Sequence, residues 1–176
     1  MQTGLYCHIP FCASTCDFCA FYQEKPKRSE LLAYLDGMEY EFQQIPKSTH
    51  FDTIFWGGGT PTLLSAKDLE RLGKSMIRHL GNDFHEWTVE MAPSSVKTDK
   101  LKVLLDLGVT RFSLGIQSFN PDTLVKLGRL HSPTQIYKAW DLITASGVID
   151  TNVDMMFALP NQELNDWHYD LNKAND

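Results

Sequence analysis

The chain of 176 residues is 43 % hydrophobic and 11 % aromatic, enough apolar material for one sizeable core, and its four cysteines all fall within the first nineteen residues. A formal charge of −6, with Lys25, Lys27 and Arg28 as the one tight basic cluster, argues against a nucleic-acid groove. No signal peptide is visible and no apolar run approaches membrane-spanning length, so the expectation is a cytoplasmic domain with a local metal or cluster site rather than a disulfide-stapled secreted fold.

Five segments rich in apolar and β-branched residues predict strands: Gly4–Ile9, Thr53–Trp56, Trp87–Met91, Thr110–Ile116 and Ile149–Met156. A helical pattern follows each. After the first strand, Leu31, Leu32, Leu35, Met38, Phe42 and Ile45 recur at helical spacing and Pro46 ends the run. After the second, Ser65 with Asp68 three residues on opens a helix with an apolar stripe of Leu69, Leu72, Met76, Ile77 and Leu80, and Gly81 lies past its end. Leu101, Leu104 and Leu105 mark a third helix before Gly108. The next connection is split, with Asn120-Pro121 starting a short helix and Ser132-Pro133-Thr134-Gln135 forming a capping box; Gly147 closes it. Glu163, Trp167 and Leu171 set the last helix. Strands alternating with helices imply right-handed crossovers and a parallel α/β sheet, open or barrel-like, with its ligand site at the carboxyl ends of the strands.

Those ends carry the unusual residues. The first strand leads through Tyr6-Cys7-His8-Ile9-Pro10-Phe11 into Cys12-x3-Cys16-x2-Cys19. Three thiolates at this spacing suit three irons of a cubane and leave the fourth iron open to a chelating small molecule. A structural zinc site completed by Cys7 or His8 is the alternative, although zinc patterns usually supply a second ligand pair further along. If Tyr6 and His8 face the interior, strand alternation turns Cys7 toward the helices as a buried, inert thiol.

Gly57-Gly58-Gly59 follows the second strand, where residues without a Cβ let the backbone approach a ligand; it lacks the Gly-Lys-Ser/Thr of a phosphate loop. Parity places Thr88 with Glu90, Ser113 with Gly115 and Gln117, and Asn152 with Asp154 on common faces of their strands. Inward polar residues are costly without partners, so together they suggest a lined cavity. His50, His79, His85, His131 and His168 read as structural.

Cys12-x3-Cys16-x2-Cys19 with Phe18 resembles the radical S-adenosylmethionine (SAM) signature, and Tyr6-x-His8-Ile9-Pro10-Phe11-Cys12 resembles the oxygen-independent coproporphyrinogen III oxidase family. Further matches are Trp56-Gly57-Gly58-Gly59-Thr60-Pro61-Thr62, Val89-Glu90, Gly115-Ile116-Gln117-Ser118-Phe119, Leu127-Gly128-Arg129 and Asn152 to Pro160. The resemblance implies a partial TIM-type (β/α) barrel of six strands, of which five βα units are present, and hence a chain truncated at its C-terminal end. It further implies a [4Fe-4S] cluster on Cys12, Cys16 and Cys19, a reactive SAM contacted by Tyr6, Phe18, Gly58 and Glu90, and a second SAM at Gly59, Thr60, Gln117, Arg129 and Asp154. The family joins an oxidase acting on a porphyrinogen with a haem chaperone that serves acceptor proteins; both draw on an electron donor. The oxidase motif continues Cys-x-Cys, where this chain has Phe21, which is similar to the chaperone branch.

Overall fold

The computed structural model describes residues 3–175, in which five strands form one parallel sheet in the order β1-β2-β3-β4-β5. The strands are β1 (Gly4–Ile9), β2 (Thr53–Gly58), β3 (Glu86–Met91), β4 (Arg111–Gln117) and β5 (Asp150–Met155). Each step to the next strand passes through helix: α1 (Arg28–Gln44), α2 (Ala66–Leu80), α3 (Thr98–Asp106), then the pair α4 (Pro121–Lys126) and α5 (Pro133–Ala145), with α6 (Leu164–Asn175) after β5. A doubly wound sheet reverses its strand order at a switch point. This one never reverses, so the chain winds in one direction and stacks its helices against one face, as in a partial barrel.

Alternation along the strands separates the two faces. Cys7, Ile9, Ile54, Trp56, Trp87, Val89, Met91, Phe112, Leu114 and Ile116 point outward and are buried in a single apolar cluster with Leu35, Leu72, Met76, Leu104 and Ile143 of the helices. Trp56 and Trp87 pack edge to face with ring centres 4.9 Å apart. Cys7 therefore lies among the helices as its parity requires, and burial pushes its thiol up to about 12.

The helix starts follow from their capping residues. Ser65 Oγ accepts from the Asp68 N–H, Asn120 Oδ1 from Asp122 and Thr123, and Ser132 and Gln135 cap each other reciprocally. Several expected strand bounds shift by one or two residues, and two of the apolar residues that marked the elements are exposed. Leu32 is 38 % exposed, because position i+1 from Leu31 turns about 100° away from the buried stripe of α1. Ile149 is 84 % exposed and precedes β5, which starts at Asp150.

The carboxyl end of β4 is locked from below by α6. Asp170 is buried, and its carboxylate accepts from Ser118 Oγ and from the Phe119 N–H, both at 2.7 Å. Asp170→Ala leaves two buried donors unpaired, so we expect a loss of about 1–3 kcal/mol in urea unfolding followed by circular dichroism. A midpoint equal to the parent's would show that α6 does not hold the β4 turn.

Candidate functional site

Past Ile9 the backbone turns into a loop that returns to the sheet and closes on itself. Cys12 N–H donates to Glu24 O at 3.0 Å and Glu24 N–H to Pro10 O at 2.8 Å, pairing Phe11 with Glu24. Cys12, Cys16 and Cys19 lie inside this closed loop as free, partly buried thiols. Its far side is tied to the turn after α4 by the Asp17 N–H donating to Leu127 O at 3.3 Å.

β1 supports the loop through two rings. Tyr22 O can only accept, so His8 Nε2 carries the proton and donates to it at 3.0 Å. In the neutral ring Nδ1 then accepts from the Tyr6 hydroxyl, 3.1 Å away. The Tyr34 hydroxyl donates to His8 O at 2.8 Å. In the sequence His8 sets strand parity, offers a fourth ligand to the alternative zinc site and belongs to the family motif; its bridging of Tyr6 to the cysteine loop has no sequence signal, because it depends on a loop contact fourteen residues away.

The floor of the site is the turn after β2. A Cβ on Gly59 would lie 2.7–2.9 Å from backbone atoms of Ile9, Pro10 and Phe11, and one on Gly58, at φ +106°, would lie 2.4 Å from the His8 ring. Only glycine fits at either position. Gly58 N–H donates to Glu90 Oε2 at 3.0 Å. Burial raises the Glu90 carboxyl above its usual range; the Gly58 N–H opposes the shift and Asp154 adds to it.

The opposite wall comes from β4, β5 and the turn after α4. Asp154 accepts from Ser113 Oγ at 2.9 Å and from Asn152 Nδ2 at 2.7 Å. Gln117 reaches the site by a route that strand parity did not foresee: the ladder slips between Gly115 and Gln117, and Gln117 adopts a left-handed φ of 62°. Its Oε1 is buried without a hydrogen-bond partner. Arg129 directs Nη1 to Cys16 Sγ at 3.4 Å and Nη2 to Gly115 O at 2.7 Å, while its buried Nε has no partner. His131 is buried and donates through Nε2 to Ile116 O at 3.3 Å.

These walls line one open cleft of about 160 Å³. Cys12, Cys16, Phe18, Cys19, Gly58, Gly59, Thr60, Glu90, Gln117, Arg129 and Asp154 all line it. Tyr6 stands deeper on β1 and is half exposed; Phe21, Gln23, Met91 and Ala92 also line the cleft and had no sequence signal marking them as wall residues. Burial raises the Cys12 thiol; the Thr60 hydroxyl, 3.8 Å away, opposes the shift, the Cys16 and Cys19 thiols reinforce it, and Arg129 also opposes it. The three sulfurs thus interact electrostatically across the cleft. Among the described residues no three His, Cys, Asp or Glu side chains converge as one metal ion requires.

A one-way parallel βα sheet with three cysteines on the loop after its first strand defines the class: the chain belongs to the radical SAM superfamily, whose model matches residues 6–174. Within it the relatives are those of the HemN/HemW family. The heme chaperone HemW of Lactococcus lactis is 37 % identical over 160 residues, covering 90 % of this chain and 42 % of that protein. HemW of Bacillus subtilis is 36 % identical, covering 96 % of this chain and 46 % of the relative. The solved structure of the Escherichia coli coproporphyrinogen III oxidase HemN matches 98 % of this chain and 41 % of its own, with a TM-score of 0.87 and 29 % identity. The chain therefore spans less than half the length of these relatives. The superfamily's cofactors, a [4Fe-4S] cluster and SAM, fit the donors present: three free thiols facing one cleft, a floor without Cβ atoms, and unpartnered Gln117 and Arg129 atoms. No described helix is long and apolar enough to cross a membrane.

Two outcomes test this geometry. Gly59→Ala sets a methyl against immovable backbone, so we expect it to displace the cysteine loop and lower stability by about 1–3 kcal/mol, measured by thermal unfolding of the metal-free protein. His131 carries the second. Burial, reinforced by Arg129, lowers its pKa from 6.5 to about 4, against the pull of the Ile116 carbonyl. Between these values the unfolded chain binds more protons than the folded one, so stability falls as pH drops through the window, by at most about 1.4 kcal/mol per pH unit. His131→Gln should flatten that slope in urea titrations from pH 7 to pH 4; an undiminished slope would place its origin elsewhere.

Proposed function

We propose that residues 1–176 are the cluster- and SAM-binding core of a HemW-like haem chaperone, a cytoplasmic protein that binds haem and passes it to acceptor proteins. The observation that carries this reading is Phe21. Where the oxidase pattern sets a further cysteine two residues after the third ligand, this chain has an aromatic ring, 63 % exposed, on the wall of the cleft. The identities of 35–37 % to three HemW proteins support the same choice. In the whole protein a sixth βα unit and a C-terminal domain would be added to this core, and an electron-donor protein would serve it.

In this reading Cys12, Cys16 and Cys19 bind the cluster. Tyr6, Phe18, Gly58 and Glu90 hold the reactive SAM, and Gly59, Thr60, Gln117, Arg129 and Asp154 form the wall available to a second SAM. When bound, the reduced cluster supplies the electron that splits SAM into methionine and a 5′-deoxyadenosyl radical. The chain supplies position. Gly58 and Gly59 form a floor without Cβ atoms, His8 fixes the Tyr6 hydroxyl, and Ser113 with Asn152 fixes Asp154.

The structural likeness to HemN favours a second reading, an oxygen-independent coproporphyrinogen III oxidase. The two part in one assay. The full-length protein, reconstituted anaerobically with iron and sulfide, is given coproporphyrinogen III, SAM and a reductant. We expect cluster and SAM binding without protoporphyrinogen IX; its formation would establish the oxidase. Cys12→Ala, Cys16→Ala or Cys19→Ala should each abolish the four-iron cluster, and a full cubane in any of them would refute the ligand assignment.

A further inference from the structure

Among the described residues Arg129 is the one basic side chain that lines the cleft, together with the carboxylates of Glu90 and Asp154. The nearby His131 adds no positive charge at neutral pH. The Arg129 guanidinium is already engaged: Nη1 reaches Cys16 Sγ at 3.4 Å and Nη2 the Gly115 carbonyl at 2.7 Å. Its backbone is held as well. The Arg129 N–H donates to Leu124 O at 2.9 Å, closing α4, and the preceding Leu127 carbonyl accepts from Asp17 within the cysteine loop. Gly128, at φ +68°, lies so close to Asp17 that a Cβ would meet its backbone N at 3.3 Å. The turn after α4 and the cysteine loop thus form one clamp, with a rigid planar cation at its centre aimed at a thiol sulfur.

Sulfur ligands that accept N–H bonds, and clusters beside a positive charge, are easier to reduce, because reduction adds one negative charge that the cation and the donor stabilise. Two of the five guanidinium N–H donors are committed in this way, to Cys16 and Gly115, so the cation is held at the sulfur before any ligand enters the cleft.

Resting on the assignment of Cys16 as a cluster ligand, we propose that Arg129 is a positioning residue for the cluster: it holds the Cys16 thiolate and raises the cluster's reduction potential independently of any SAM.

The test is a mediated redox titration of the full-length reconstituted protein, followed by electron paramagnetic resonance of the reduced cluster without SAM and then with it. Arg129→Gln should titrate at a more negative potential than the parent already without SAM, and Arg129→Lys, which keeps the charge and loses the fork, between the two. A glutamine variant with full iron content and the parent's potential overturns the proposal; a fall confined to SAM stoichiometry would mark Arg129 as a SAM contact instead. Should the glutamine variant fail to retain iron while folded, retention restored by lysine supports the proposal and equal loss in both overturns it. A parent that takes up no four-iron cluster fails differently, since it removes the cysteine assignment itself.

Discussion

The arrangement of the site depends on one close approach. Beyond the end of β2, Gly59 and Thr60 donate their N–H groups to Ile9 O and Phe11 O, both at 2.8 Å, so the β1–β2 ladder runs on past the sheet into two loops. The backbones touch there because Gly59 has no Cβ to keep them apart. That contact sets the direction in which the cysteine loop leaves β1. It brings Thr60 beside Cys12 and presents the Gly58 N–H to Glu90 one strand further on. A side chain at residue 59 would separate the layers that all the other contacts presuppose.

The remaining polar groups divide into those that are satisfied and those that are not, and the division has meaning. Asp154, Ser113 and Asn152 bond one another, so this network orders the β4–β5 wall without outside help. Gln117 Oε1 and Arg129 Nε are buried and unpartnered. Buried polar atoms left alone cost free energy unless something completes them, and both belong to residues that line the cleft. The left-handed backbone at Gln117 is a further local cost, accepted where it carries a side chain into the site.

Much of this was legible in the sequence, for identifiable reasons. Period-two alternation exposed the strands and sorted Cys7 from Tyr6 and His8; capping residues such as Ser65 and Ser132 located helix starts to within a residue. The cysteine spacing marked the loop because its donors are local in sequence. Contacts spanning many residues escaped: His8 to Tyr22, Asp170 to Ser118, and Arg129 to Cys16 join elements whose juxtaposition only the winding of the sheet decides. Gln117 shows the same limit in another form. Alternation predicts the face of a residue while the ladder stays in register, and a bulge has no sequence period to announce it.

The strand order has a bearing on how the protein comes into being. The chain is threaded in the order in which it is made, each strand settling beside its predecessor. The three loop thiols lie at the start of that order, whereas Arg129 and Asp154, which complete the opposite wall, come more than a hundred residues later. At about 5–20 residues per second on the ribosome, the delay is on the order of ten seconds. Over that interval the thiols are outside the finished cleft, reachable by oxidants and by iron carriers alike. A nascent chain of this topology offers its most reactive groups first and shelters them last.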